Sequence, residues 1–574
     1  MSESIKQYDS SLDSKNPKIS EKPQEAVDIE RADYIEGEIE YADVQRKGFF
    51  QRFIDDFKPM PTVNGERPEL KRKLKDRHMQ MIAIGGAIGT GFFVGSGKSL
   101  RNGGPASLLI DYSIIGVMMF CTVYALGELA VAYPVRGSFY TYATRFIDPA
   151  WGFALGWNYF MNYFVTLPLE LTTCSMTIRF WTDINSSAWI AIFLFIVIVI
   201  NVFGVRGYGE VEFVLSTVKV FATLAFIILA IVINCGGVTT DPRGYIGGHY
   251  FRMKPFRNGF KGFCSVFTTA AFAFSGTELV GIAAAEASNP QESVPRASKQ
   301  VFWRIVIFYV VGLLLIGLLV SPEVDGDRLF GGSGTATSPF VIAIQDARIK
   351  GLPSVMNAVI TISTLSVANS CTYAASRTLH ALAEVGHAPR FLRYIDRLGR
   401  PVPAMMICLL FGFFAFINAA GEDTSDSVFN WLLALSGLSN FFSWGSINLA
   451  HICFRRAWAR QGRDLNQLGF VSPAGVYGSY LGFGLNVLCL IAEFYVSLFP
   501  LGGSPNASDF FQNYMSFPIA ICFFVGYKFY DRTRRPPLSE VDLDTGLRVR
   551  DESEMMEKST EDKGKLMNLM SACC

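Results

Sequence analysis

Uninterrupted apolar runs decide what this chain can fold into. "AWIAIFLFIVIVINVFG" at 188–204 and "STVKVFATLAFIILAIVIN" at 216–234 each approach the roughly 20 residues with which a helix crosses a hydrocarbon core. Strands of a barrel would alternate polar and apolar residues, and these runs do not. Half of the 574 residues are hydrophobic, 49 are Phe and only 18% are charged, so too little polar surface remains to solvate a globule of this size in water. The pattern predicts an all-α polytopic membrane protein with about twelve transmembrane helices. They fall at 79–98, 105–132, 151–178, 187–205, 211–234, 262–285, 301–321, 353–378, 402–420, 427–454, 475–500 and 511–530.

Lys and Arg set the expected orientation. "KRKLKDRH" precedes the first span, and Arg377, Arg390, Arg393, Arg397, Arg400, Arg455, Arg456, Arg460 and Arg463 fall in connections on the same side, which predicts that side to be cytoplasmic. The opposite loops carry Glu323, Asp325 and Asp327, then Glu422, Asp423 and Asp426. One loop, 235–261, misfits with Arg243, Arg252, Lys254, Arg257 and Lys261. Both termini are then cytoplasmic: a polar, largely disordered tail over 1–78 and a second tail over 531–574. No cleavable signal peptide is recognisable, so the first span is expected to act as its own signal. Stretches 137–150 and 381–401 mix charge with aromatics and read as amphipathic segments along the inner surface. A net charge of +1 without a basic stripe excludes nucleic acid as a partner, and the eleven Cys show no metal-ligand spacing.

Two spans are interrupted. "IAIGGAIGTGFFVGSG" (82–97) crowds six glycines into one apolar segment. That permits close helix packing, or an unwound stretch at Ile88, Gly89, Thr90 and Gly91 whose free N–H groups face an anion. In "TTAAFAFSGTELVGIAAAE" (268–286) the patch Ser275, Gly276, Thr277 precedes Glu278. Interruptions in the first and sixth spans point to two inverted five-helix units, 79–234 and 262–454, followed by two further helices over 475–530, with a site at the bilayer midplane. A positive half-helix end there suits a carboxylate, and carbonyls freed in the partner suit an ammonium group. Phe272 and Phe274 read either as pocket walls or as lipid-facing rings.

Ionisable residues inside spans cost roughly 2.5–3.5 kcal/mol each at a helix centre, so they mark function or pairing. Lys219, Glu170 and Glu278 are candidates for proton coupling; for Lys219 the alternative is a pin that holds its helix to the bundle. Glu128 is placed close enough to the inner surface for plain solvation to explain it.

At these residues the chain resembles the fungal amino acid permeases of the amino acid–polyamine–organocation superfamily, and within it the general amino acid permease group. The likeness runs from about Lys71 to Arg548 and rests on "IAIGGAIGTGFFVGSG", "ALGELAVAYPVRGSFYTYATRFIDPAWGFALGWNY", "LPLELT", "FSGTELVGIAAAEASNPQESVPRASKQVFWRI" and "ANSCTYAASRTLHALAEVGHAP". The resemblance implies a LeuT-type fold and substrate contacts from Gly89, Thr90, Gly91, Phe274, Ser275 and Gly276. Further walls would come from Thr173, Ser363, Ser366, Ser436 and Ser439. The position of Lys219 matches the place where sodium-coupled relatives hold sodium, which implies symport of an amino acid with a proton. Broad neutral specificity, no cofactor and a plasma-membrane location follow from the same likeness. Lys6, Lys15, Lys18 and Lys22 resemble tail lysines through which such permeases meet ubiquitin ligases, and Cys573 and Cys574 resemble palmitoylated termini. Asp111 departs from the pattern, where a small residue is usual. Asn185 and Asn506 head glycosylation sequons in short outer loops.

Three other functions compete. An amino acid sensor of the same fold would use the same pocket, but such sensors tend to carry longer N-terminal extensions. A permease for choline or a polyamine would need no carboxylate cradle. A membrane enzyme would need a nucleophile, metal or phosphate-cradling constellation, and the sequence offers none.

Overall fold

A computed structural model describes residues 76–548, apart from Ala87, Arg136, Asp183, Ser288, 324–328, 330–337 and Gly421, together with Gln51, 55–60 and Leu74. The tail lysines, Cys573 and Cys574 lie outside the described residues. Residues 55–59 belong to a separate unit in which Lys58 pairs with Asp55 at 2.6 Å; everything below concerns the unit from Met60 onward.

Helices account for every extended element described, and each predicted span is met by one to three of them. The first span is α1 (Asp76–Gly85), a break, and a π-helical turn Gly91–Gly95 that runs into α2 (Ser96–Ala132). A left-handed Gly104, φ 85°, ahead of Pro105 folds α2 back on itself, so its first part completes span one and its second is span two. After the short α3 (Ser138–Phe146) come α4 (Pro149–Ile178), α5 (Ser186–Val202) and α6 (Gly204–Asn234). The sixth span is α7 (Val266–Phe274) and α8 (Leu279–Ala283). The seventh is α9 (Pro290–Arg304), a π-helical stretch Ile305–Gly312 and α10 (Leu313–Leu319). Then follow α11 (Leu352–Val385), α12 (Val402–Phe411), α13 (Glu422–Arg460), α14 (Gly475–Leu498) and α15 (Ser516–Asp531).

Local chemistry sets the ends. Asp148 caps α4 by accepting from Ala150 N at 2.9 Å, with Pro149 in the first turn, and Gly386 in left-handed conformation stops α11. Among the described residues six helices are long and apolar enough to cross a membrane, with two shorter apolar ones at Ser186–Val202 and Val402–Ile417. In α6 the amphipathic logic of a soluble helix is inverted: Glu212, Ser216, Lys219 and Thr223 are fully buried, while Phe221 and Ile228 are about two-thirds exposed. That inversion requires an apolar solvent.

Several expectations need correction. Glu128 is not solvated. It is fully buried, with Arg455 Nε at 2.6 Å, His451 Nε2 at 3.2 Å and Ser472 N at 2.7 Å, because α13 and the chain after it close over the end of α2. Within 137–150, α3 buries Phe139, Tyr140, Tyr142 and Phe146 against protein instead of lying free at a surface. Stretch 381–401 is the end of α11, a single 3₁₀ turn at Arg390–Arg393 and a turn closed by Asp396 and Arg400 at 2.6 Å. The misfitting loop spends its charge locally: Lys254 pairs with Glu323 at 2.8 Å, and Arg243 pairs with Asp241 at 2.9 Å. Part of its excess is therefore cancelled by the neighbouring acidic loop, a pairing that loop-by-loop counting cannot see. Asn185 and Asn506 both use their side chains as helix caps, accepting from Ser187 N at 2.9 Å and Asp509 N at 2.7 Å.

The segment after α15 is docked, not loose. Tyr133 donates to the Leu543 carbonyl at 2.8 Å, Arg145 to that of Thr545 at 2.9 Å and Gln461 to that of Val541 at 2.9 Å, while Val541 and Leu543 are buried. Asp542 accepts from the backbone N–H of Thr545 at 2.9 Å and of Asp544 at 3.0 Å, closing a turn.

Candidate functional site

Two helix breaks meet at the centre of the bundle. α1 stops at Gly85, and the chain resumes helical form at the π turn that opens on Gly91. Across from it α7 stops at Phe274, Ser275 is extended (ψ 141°), and Gly276 at φ 94° makes a turn that a side chain would strain. Closeness explains one glycine: a Cβ on Gly91 would stand 2.4 Å from Ala273 Cα, backbone against backbone. Gly91 and Gly276 thus serve different ends, the first approach and the second conformation.

Between the breaks lies a narrow cavity of about 20 Å³, room for a water molecule in this conformation, so a larger ligand requires the helices around it to part. Gly86, Gly89, Thr90 and Gly91 line one side and Phe272, Ser275, Gly276 and Leu279 another; α4 adds Tyr163, Thr166 and Glu170, and α11 adds Val367, Ser370 and Cys371. Glu170 is fully buried. One of its oxygens accepts from Thr90 Oγ1 at 2.5 Å, and the other has no hydrogen-bond partner among the described residues. A polar mesh continues behind Ser275, whose hydroxyl donates to Asn440 Oδ1 at 3.2 Å; Asn440 accepts from Asn162 at 2.8 Å, and Ser436 donates to Asn162 at 2.5 Å.

Lys219 lies beside this cavity. Its Nζ donates to the Gly85 carbonyl at 2.7 Å and to Ser366 Oγ at 2.9 Å, with Glu212 Oε1 at 3.5 Å. Glu212 also accepts from Ser216 at 2.9 Å and Ser366 at 2.6 Å. Sequence reasoning passed over Glu212, because "GEVEFV" at a span's edge reads as interfacial; the signal was its spacing to Ser216 and Lys219 on one helical face.

The other expected site residues divide. Ser275 and Gly276 join Gly89, Thr90, Gly91, Phe272 and Glu170 at the cavity. Ile88 and Phe274 are buried but do not line it, Phe274 instead stacking on Tyr309 at 4.0 Å. Thr277 turns away to meet Arg304. Thr173 bonds back to the Leu169 carbonyl at 3.0 Å, and Ser363 to that of Val359 at 2.7 Å. Ser439 lies one layer out, accepting nothing from the cavity and donating to Leu435 O at 2.9 Å. Glu278 faces the second break, accepting from Tyr163 at 2.5 Å, Trp444 Nε1 at 3.1 Å and Gly276 N at 3.3 Å. Asp111 stands elsewhere, fully buried on α2, with no hydrogen-bond partner among the described residues for either oxygen.

Known proteins share both the sequence and the architecture. An amino-acid permease of Schizosaccharomyces pombe, described as uncharacterized, is 70% identical over 520 residues, covering 90% of this chain and 89% of its own. From the same organism, "Cationic amino acid transporter 1" is 62% identical, covering 95% and 94%, and "Amino acid transporter 1" is 59% identical, covering 98% of each. A mutant of the Eremococcus coleocola manganese transporter matches in structure with a TM-score of 0.51 at 12% identity, covering 85% of this chain and 96% of its own, which shows a shared LeuT-like fold and nothing about cargo. The amino acid permease family model matches residues 78–540. Carrying two broken helices around a central cavity in a bundle of apolar spans, the chain belongs to the amino acid permease family and is a multi-pass membrane amino acid transporter.

Proposed function

We propose that the chain is a proton-coupled symporter that brings amino acids into the cell by alternating access, using the cavity between the two breaks. The carrying observation is the fully buried Glu170 oxygen that has no hydrogen-bond partner among the described residues, on a side chain that lines the same cavity as the restarted first helix. The N–H groups of Gly89, Thr90 and Gly91, at the positive end of that helix, suit the substrate carboxylate. Glu170 and the carbonyl end of α7 suit its ammonium group, leaving the side chain against Phe272, Leu279 and Val367. Lys219 bridges the end of α1 and Ser366 of α11, so gain or loss of a proton there changes how α1 is held. The resemblance at Lys219 supports the same reading. The Arg-rich end of the bundle is assigned to the cytoplasm at the plasma membrane, with both termini inside, and 79–234 and 262–454 to two inverted repeats.

The apolar wall favours broad neutral substrates. A second reading, cationic amino acids, is favoured by the spare Glu170 carboxylate oxygen and by the name of one relative. Uptake of a labelled amino acid mixture, with and without a proton uncoupler, in cells lacking their own permeases tests both readings. Uncoupler-sensitive uptake competed by Leu or Phe supports the first, and competition by Lys or Arg alone supports the second. Uptake indifferent to the uncoupler overturns proton coupling, and no uptake by correctly located protein favours the sensor.

A further inference from the structure

The carbonyl ends of both broken helices are capped from one place. Arg304, the last residue of α9, is fully buried, and among the described residues no carboxylate pairs with it. Its guanidinium instead donates to the Ala83 carbonyl at 2.6 Å, in the last turn of α1, and to Thr277 Oγ1 in the second break. Thr277 in turn donates to the Phe274 carbonyl at 2.6 Å. Tyr309, on the same span, donates to the Ala273 carbonyl at 2.6 Å, at the end of α7.

Backbone form makes this possible. Residues 305–312 are π-helical, a form closed by i to i+5 bonds, so Arg304 and Tyr309 stand one above the other on one face. In an α-helix residues five apart point to different faces. α1 has no basic residue in its own last turn, so the cations that complement its negative end, Arg304 and Lys219, both come from other helices. Only one of them can shed its proton, since guanidinium stays charged.

We infer that the π-helical stretch of the seventh span is a strut, with Arg304 and Tyr309 as positioning residues, that makes the two breaks around the substrate cavity rearrange as one. This rests on the transport reading for its purpose, though the mechanical claim stands apart from it. When Lys219 releases α1, Arg304 keeps that helix tied to the second break, and the tie carries the change across the cavity.

Hydrogen exchange on the purified, full-length protein tests the strut without reference to substrate. Tyr309→Phe keeps the ring that stacks on Phe274 and removes the hydrogen bond to the Ala273 carbonyl at the second break. The strut requires exchange to rise at residues 86–91 as well as at 275–279, by about fivefold, the factor that one lost hydrogen bond is worth. A rise confined to 275–279, or none, overturns it. Thr277→Val, which cuts the Arg304 tie inside the second break, serves if the first variant fails to fold and carries the same expectation for 86–91. In cells both variants should lower the maximal uptake rate about fivefold at normal surface level with KM unchanged, as a rearrangement step would. A raised KM at unchanged maximal rate would instead make them substrate contacts and overturn the inference. Wild type that takes up no amino acid would sink the transport reading, and exchange would still decide the strut.

Discussion

Lys219 Nζ stands 2.7 Å from the carbonyl of Gly85, the last residue before the first helix breaks, with fully buried Glu212 on its other side at 3.5 Å. A buried cation and a buried anion are therefore placed together at one of the two points where the bundle's backbone opens. Removing Lys219 alone leaves Glu212 unmatched. Lys219→Met should abolish uptake and destabilise the protein by about 3–5 kcal/mol, whereas Lys219→Met with Glu212→Gln should recover most of the stability and none of the uptake. Thermal unfolding in detergent beside uptake at matched surface level reads both; equal stability of the single and double variants would show that the two charges are not coupled.

Glu128 predicts a second stability effect far from the cavity. Glu128→Gln leaves Arg455, itself about nine-tenths buried, without its carboxylate and His451 with Ser479 but no carboxylate beside its ring. The expected loss is about 3–5 kcal/mol, the range for breaking a buried pair, seen as a lower unfolding midpoint with substrate KM unchanged in whatever protein reaches the surface.

Glycines give a paired test of close approach. Gly91→Ala drives a Cβ into the Ala273 backbone, so uptake should fail and stability drop by about 1–3 kcal/mol as the breaks are pushed apart. Gly484→Ala, in α14, meets nothing within 4 Å and should be neutral or stabilising by about 0.5–1 kcal/mol. Comparable losses in the two variants would remove the role assigned to the contact at Gly91.

Acid should undock the segment after α15. Hydrogen bonds from the Thr545 backbone, then from its side chain and from Asp544, hold the Asp542 carboxyl down to about 2, below the ordinary Asp value of about 3.9. A depressed folded value means that the turn is at full strength above about pH 4 and loosens as pH falls toward 2. Protection of the Thr545 amide should follow that course, and Asp542→Asn should flatten it. An unchanged profile in Asp542→Asn would assign the transition to another group.

How much of this was legible beforehand depends on whether a signal is local. The spans were readable because membrane crossing is written in contiguous composition, and the breaks at Gly89–Gly91 and Ser275–Thr277 because glycine and small polar residues stand out against apolar runs. Glu128 and Arg304 were misplaced or missed for the opposite reason. Their partners His451, Arg455, Ala83 and Thr277 come from distant stretches, and a charge near a span's end looks solvated until those neighbours are known. Phe274 and Thr277 show the limit of motif adjacency: they flank the Ser275–Gly276 pair in sequence yet contact the seventh span.

The bond from Tyr133 to Leu543 joins residues 410 positions apart. At roughly 5–20 residues per second of synthesis, the end of the second span waits on the order of 20–80 s for the segment that covers it. A nascent chain thus leaves the Tyr133 hydroxyl and the Ala132 carbonyl without these partners until residues 543–548 have been made. The end of α2 is therefore completed in time by residues 541–548, and folding of the second span is finished only after the last spans have been made.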